Sequence, residues 1–297
     1  MKKLTIKNLS LVFTGVFLFS VILVSCKKSK SDVKLPDIGG YPSSNAVAAS
    51  NLVAYWDFDG NQTETKSGNN PADAQGASYT NGVKGQALSL ANGYLYYTGV
   101  SGLTSLTSDF SVSAWFQVQN NKTDTSGFAN EVFQYVSGTP SDAFGNINFS
   151  LETGQFKHTP DAGYDTLIIH PTFRDQAGGL QDNTNNYPVS DSTLVKDTTG
   201  TWVYSVITWN SSTHQFNIYA NGAKVGNFPD RGTSVFTPSP STSAIIGAWS
   251  SNIPALGLPA QSFAQPFTGA IDEVRVYSKT LSKDEISALY ELGKAGR

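Results

Sequence analysis

Phe110-Ser-Val-Ser-Ala-Trp-Phe-Gln-Val118 decides the fold. Phe110, Val112, Ala114, Phe116 and Val118 occupy every second position, with Ser111, Ser113, Trp115 and Gln117 between them. Side chains of a strand point alternately to the two faces of a sheet, so this stretch predicts a strand with one core face and one polar face. The pattern recurs further along the chain. Ile147, Phe149 and Leu151 alternate with Asn146, Asn148 and Ser150. Phe216 and Ile218 alternate with Gln215, Asn217 and Tyr219 and run into Asn221-Gly222, a pair suited to the positive φ angles of a type I′ hairpin, before Val225 resumes. Gly, Asn, Asp and Ser separate the runs, which makes the chain all-β and most simply an antiparallel sandwich. Helix is predicted only at the C-terminus, where Ser282 and Glu285 form a capping box ahead of Ile286, Leu289 and Tyr290. Two long stretches, Thr153 to Gly200 and Ser250 to Pro266, read as loops, and loops of that length tend to be functional or mobile.

The N-terminus has a different character. Lys2, Lys3 and Lys7 precede an uncharged run from Leu9 to Ser25, the layout of an export signal. Leu23-Val-Ser-Cys26 resembles the lipobox of bacterial lipoproteins, which implies cleavage before Cys26 and its acylation. On that reading residues 1–25 are a signal peptide, 26–50 a lipidated flexible tether rich in Ser, Lys, Pro and Gly, and 51–297 the folded domain, held by its lipid at the bacterial outer membrane, facing either side. Two other readings stay open: a short uncleaved membrane anchor, since the run is near the lower limit for spanning a bilayer, and an ordinary secretory signal with a chance cysteine. Cys26 is the only cysteine. Once acylated, it leaves no thiol for a disulfide, a nucleophile or a zinc site. About 245 residues remain for the domain, a size at which a sandwich is commonly one domain with a sizeable core.

The net charge is −3, and loss of Lys2, Lys3 and Lys7 with the signal makes it three units more negative. With no basic stripe, counterion release has no source, which argues against a nucleic-acid partner. The low charged fraction of 14% and the abundance of Asn, Ser, Thr, Gly and Tyr suit an extracellular β protein that meets neutral ligands.

Four stretches carry a family resemblance. Leu52-Val-Ala-Tyr-Trp-Asp-Phe-Asp-Gly60 resembles a first strand, and Gly85-Gln-Ala-Leu-Ser-Leu90 with Tyr94-Leu-Tyr-Tyr97 a second pair. Phe110 to Phe116 looks like a central strand. Thr201-Trp202 to Trp209, the Tyr219-Ala-Asn-Gly222 hairpin and Phe267-Thr-Gly-Ala-Ile-Asp-Glu-Val-Arg-Val-Tyr277 complete the order. Together, over about residues 51 to 292, they resemble the laminin G-like/concanavalin A-like jelly-roll family. The resemblance implies a two-sheet antiparallel jelly-roll with a short C-terminal helix. It does not fix the activity, since the fold hosts lectins, adhesins, accessory domains and hydrolases.

Concanavalin A-like glucanases cut sugars with carboxylates spaced closely on one strand, and that spacing is absent. Glu131 and Glu152 are far apart in sequence, and the adjacent Asp272 and Glu273 point to opposite faces of a strand. His158, His170 and His214 lack metal-type spacing, and no Gly-x-Ser-x-Gly elbow occurs. A non-catalytic, glycan-binding or adhesive module is therefore the first expectation. A glycoside hydrolase or polysaccharide lyase of the same fold, and a structural or protein-interaction lipoprotein, are the alternatives. The resemblance also implies one structural Ca2+, with Asp272 as the last-strand ligand and Asp57 and Asp59 as first-strand contributors; the competing reading has Asp272 paired with Arg275 or capping a turn. For the glycan, alternation places Trp115 and Tyr204 away from the apolar face. With Asn146, Asn148 and, at the start of the second long loop, Trp249, they would form an aromatic and amide surface for a sugar. The other reading buries such rings under a covering segment, as most large aromatics are buried.

Overall fold

The computed structural model describes residues 35–119, 126–153, 166–185, 195–196, 200–226 and 230–297. The signal, Cys26, His158 and parts of the Thr153–Gly200 stretch lie outside these residues. The chain begins with β1 (Leu52–Trp56), β2 (Asp73–Asn81), β3 (Gln86–Tyr97) and β4 (Phe110–Val118). Then come β5 (Ala129–Tyr135), β6 (Ile147–Thr153), β7 (Thr166–Ile169), β8 (Thr172–Arg174), β9 (Leu180–Asp182) and β10 (Val195–Lys196). β11 (Val203–Asn210), β12 (Gln215–Ala220), β13 (Ala223–Val225), β14 (Ala244–Ile246), β15 (Ala264–Gln265) and β16 (Phe267–Tyr277) lead to one helix, α1 (Lys283–Lys294).

The main hydrogen-bonded path runs β10-β7-β6-β5-β14-β3-β16-β4-β11-β12-β13. β3 joins its two halves, because Leu95 to Tyr97 pair with β14 while Leu88 to Gly93 pair with β16. The curled sheet closes over one core. Phe110, Val112, Ala114, Phe116 and Val118 of β4 all enter it, as the alternation predicts, together with Ile147, Phe149 and Leu151 of β6. Contacts between the halves are aromatic: Phe116 meets Phe149 edge to face at 6.2 Å, and Phe173 of β8 lies 4.5 Å from Trp209 of β11. Burying rings at this density supplies most of the driving force for a sandwich without disulfides. The predicted hairpin is present, with Ala220 opposite Ala223 and positive φ at Asn221 (49°) and Gly222 (82°). The capping box is present too. Ser282 Oγ accepts from Glu285 N at 3.2 Å, and Ser282 N donates back to Glu285 Oε2 at 2.8 Å.

The outer face of β4 and β11 differs from the expectation. Trp115, Tyr204 and Val206 do point away from the core, but α1 lies over them with Ile286, Leu289 and Leu292. Trp115 stacks on Tyr290 at 5.6 Å and is 4% exposed; Tyr204 is 2% exposed. Gly293 permits the close fit, since a Cβ there would stand 2.7 Å from the Trp115 ring. The helix that the sequence predicts is thus the lid over the rings that the sequence left open. The start of the domain needs correction as well. Val47 is buried in this same cluster, with Ile38 and Tyr41 packed against it. Arg297 donates to the carbonyls of Pro36 (2.8 Å) and Pro42 (2.9 Å), and Arg275 to Ser44 Oγ (3.1 Å) and Asn45 Oδ1 (2.8 Å). The compact unit begins at Pro36, so the second half of the expected tether is a strap on the domain. Its few apolar side chains were too sparse to show a period.

Candidate ligand-binding site

The other outer face belongs to β5 and β6. Their register sets Gln134 opposite Asn148, Glu131 opposite Ser150 and Ala129 opposite Glu152. Opposite residues share a face, so a row of polar groups stands away from the core. Asn146 and Asn148, expected to meet ligand, are instead fully buried and committed to the scaffold. Asn148 Oδ1 accepts from Gln134 Nε2 (2.5 Å) and Gly145 N (3.0 Å), and its amide donates to Thr172 Oγ1 (2.6 Å). Asn146 donates to the carbonyls of Val136 (3.2 Å) and Ser239 (2.8 Å) and accepts from Ser239 N (2.8 Å). Such amides hold loops in place because each leaves a buried donor or acceptor if removed.

Trp249 is the expected residue that reaches a cavity. Its Nε1–H donates to Ala129 O at 3.0 Å, which pins the Ser250–Pro266 loop across the end of β5. Phe144 meets Trp249 at 5.4 Å and Phe263 meets it at 5.2 Å, both edge to face. These three rings and Phe128 wall a pocket of about 200 Å3. Phe128, Phe144 and Phe263 are half-buried, so their rings border open space, while Trp249 is 3% exposed and forms the back. Its remaining walls are polar: Ser150, Glu152, His170 and Thr172.

The polar side is built around an imidazole. His170 Nδ1 lies 2.6 Å from Glu152 Oε1, and Nε2 lies 3.3 Å from Asp182 Oδ2. Burial alone would lower the His170 pKa, but hydrogen bonds and charge from Asp182 and Glu152 outweigh it and raise the pKa to about 9. His170 is therefore an imidazolium at neutral pH. Asp182 is held below the ordinary carboxylate value, first by the His170 hydrogen bond, and it also faces Arg231 at 3.7 Å. Sequence reasoning set His170 aside as an ordinary residue and did not single out Phe128, Phe144, Asp182 or Phe263. Glu152, His170 and Asp182 lie on β6, the turn after β7 and β9, in that order, and no local spacing connects them. The one signal was the length of the two loops.

Glu131 shows what distance in sequence conceals. It lies on the strand next to Glu152, two rungs away. A bulge follows it, between Glu131 and Phe133, and its carboxyl is fully buried: Oε1 accepts from Phe149 N at 2.6 Å and Oε2 has no partner among the described residues. Burial raises its pKa well above the carboxylate range. It is not on the pocket wall, which carries one carboxylate, Glu152.

The three carboxylates expected to bind calcium do not assemble. Among the described residues no three His, Cys, Asp or Glu side chains gather as a metal site. Asp272 Oδ2 caps the turn between β2 and β3, accepting from Val83 N (2.8 Å) and Lys84 N (3.2 Å), and Asp59 Oδ1 accepts from Gln86 N (2.7 Å) in the same turn. Asp57 Oδ1 accepts from Asp59 N at 3.2 Å. The turn-capping alternative describes Asp272; Arg275 pairs with Glu273 instead. Asp272 and Asp59 are thus engaged by backbone amides of one turn, and Asp57 by the amide of Asp59.

Residues 89–287 match a family model described as the Concanavalin A-like lectin/glucanases superfamily. No curated protein matches the chain. Among solved structures it is similar to the binding domain of Paraclostridial Mosquitocidal Protein 1, at 16% identity over 81% of this chain and 52% of that one, with a TM-score of 0.55. It is also similar to the binding domain of Botulinum neurotoxin DC, solved with rat synaptotagmin II (12% identity, 82% and 52% covered, TM-score 0.54) and with SialylT (12%, 82% and 52%, TM-score 0.53). The chain spans about half the length of these domains. At such identities the likeness is one of fold.

Proposed function

Because this chain belongs to the Concanavalin A-like lectin/glucanases superfamily, we propose that it is a lectin-like module whose pocket under the Ser250–Pro266 loop binds a glycan without cleaving it. One observation carries the reading: three half-buried phenylalanine rings around Trp249 face Ser150, Glu152 and Thr172 across a single cavity. A sugar ring offers just this pairing, with C–H faces that pack on aromatic rings and hydroxyls that hydrogen-bond at the edge. That a toxin domain of the same fold was solved with SialylT is in keeping with it. The polar residues form no obvious catalytic pair, since Glu152 is locked to His170 and Glu131 is sealed behind Phe149 N.

The test is a glycan array with the chain from Lys27 onward, followed by a product assay on each ligand found. Binding without turnover supports the module. Turnover transfers the protein to the hydrolase or lyase class. Silence across a broad array favours a structural or protein-binding role.

Anchoring belongs to the same proposal. Lipidation at Cys26 would hold the module, whose compact unit begins at Pro36, at the outer membrane of a bacterium. Cys26→Ala is expected to give an unacylated protein that fractionates as soluble or as uncleaved precursor. Unchanged membrane fractionation with a processed N-terminus would overturn the anchor.

A further inference from the structure

We infer that this pocket takes one uncharged pyranose ring and turns away acidic sugars, a specificity that rests on the glycan-binding reading and adds to it the class of ligand. The cavity's size bears on the first half. About 200 Å3 lies below the ~300–1,000 Å3 of sites for drug-sized ligands. It has room for a single ring, with any further sugars lying outside it.

The hydrogen-bonding inventory bears on the second half. Both ring nitrogens of His170 are engaged, by Glu152 and Asp182. Ser150 Oγ spends its proton on His170 O at 2.5 Å, and so faces a ligand with lone pairs only. Thr172 Oγ1 accepts from Asn148 and keeps its own proton to give. Glu152 Oε1 is bound to His170, while Oε2 has no partner among the described residues. The pocket therefore offers two acceptors, one of them anionic, and one neutral donor.

Among the described residues the cations nearby are already committed. Arg174 reaches both Asp142 oxygens at 2.6 and 2.7 Å, and Arg231 faces Asp182. A sugar hydroxyl finds acceptors here, including a charge-assisted one. A sugar carboxylate finds Glu152 at close quarters and no uncommitted cation among the described residues, and burying an unpaired charge beside a like one is strongly disfavoured.

The experiment is titration calorimetry of the unlipidated full-length mature chain against glucose, galactose, mannose and N-acetylglucosamine, and against glucuronate and galacturonate. At least one neutral sugar is expected to bind, with each uronate at least about tenfold weaker than its neutral counterpart. Glu152→Gln should narrow that gap, and a folded melting profile for the variant shows that the effect is local. A uronate that binds as well as its neutral partner, or a gap that Glu152→Gln leaves unchanged, overturns the inference. Phe263→Ala separates the two levels of the argument. If it weakens every ligand while uronates still equal neutral sugars, only the specificity fails. If no sugar binds, or if binding ignores both Phe263 and Glu152, the pocket reading fails with it.

Discussion

On the outer face of β4 and β11 the Trp115 ring clusters with Tyr204 and Tyr290, each pair of the three in contact, under a helix that fits against it through Gly293. On the outer face of β5 and β6 the Trp249 ring stands at the back of a pocket, with Phe144 and Phe263 bordering open space. Both faces carry aromatic and polar residues. What separates them is the segment that comes to rest on each: a twelve-residue amphipathic helix aided by the N-terminal strap on one, and an irregular loop stapled by a few side-chain bonds on the other. A helix presents a continuous apolar stripe and seals what it covers, whereas a loop must satisfy its own backbone and leaves gaps. Outward orientation on a strand therefore says nothing about solvent access until the covering segment is known.

The largest effect that tests this comparison is on the sealed face. Trp115→Ala removes a ring buried among Tyr204, Tyr290 and α1, and the cavity left behind should lower stability by about 3–5 kcal/mol. Chemical denaturation followed by fluorescence measures it. Sugar binding per folded molecule should remain, because Trp115 is not on the pocket wall. A small stability change with lost binding would reverse the assignment of the two faces.

Much of the fold was legible because its signals are local. Phe110 to Val118 announces its two faces at period two, Asn221-Gly222 its turn, and Ser282 with Glu285 the start of α1. The site was not legible in the same way. Trp249 could be picked out at the mouth of a long loop, but Glu152, His170 and Asp182 meet only through strand pairing across a stretch without periodicity. Trp115 and Tyr204 failed for the complementary reason. Their outward alternation was read correctly, and the docking of α1 onto them depends on a Gly293 that has no meaning until the partner ring is known. Ile38, Tyr41 and Val47 were likewise too few to distinguish a strap from a tether.

A second test concerns the edge of the sealed face, where Asp272 pairs across from Trp115. Burial first, and then the charge of Glu273, raise its pKa from 3.8 to about 7. A group whose folded pKa is raised stabilises most below its unfolded value and loses that contribution as pH rises through the folded one. Asp272→Asn removes the titration and keeps an acceptor for Val83 N and Lys84 N. The unfolding free energy of the variant relative to the parent, measured by chemical denaturation, should climb between pH 4 and pH 7, with a limiting slope of about 1.4 kcal/mol per pH unit. A difference that stays flat with pH would place the proton elsewhere.

On the open face the expected change is in binding. Phe263 is half-buried, so Phe263→Ala should cost little stability, yet it removes one wall of the pocket and should weaken a bound sugar by about tenfold, or ~1.4 kcal/mol. Trp249→Ala should lose binding and stability together, since its indole also ties the loop to Ala129. If Phe263→Ala unfolds the protein, this face is sealed after all and the contrast disappears.

The smallest expected effect is that of a chelator. A structural ion stabilises a fold by mass action, so removing it lowers the melting temperature by an amount set by its affinity. Asp272 has one oxygen occupied by two turn amides and the other, Oδ1, buried without a partner. A calcium ion bound there would hold that oxygen ionised, but the adjacent carboxylate, Glu273, is taken up by Tyr55, Lys84 and Arg275. Asp272 and Asp59 are already engaged by the amides of the β2–β3 turn, so no ion is needed to hold that turn. The melting curve at neutral pH should thus be the same with EDTA as with added calcium, within a degree or so. A chelator-dependent fall that Asp272→Asn abolishes would mean instead that backbone carbonyls complete a calcium shell around Oδ1, and the upward pH trend predicted for that variant should then vanish in calcium.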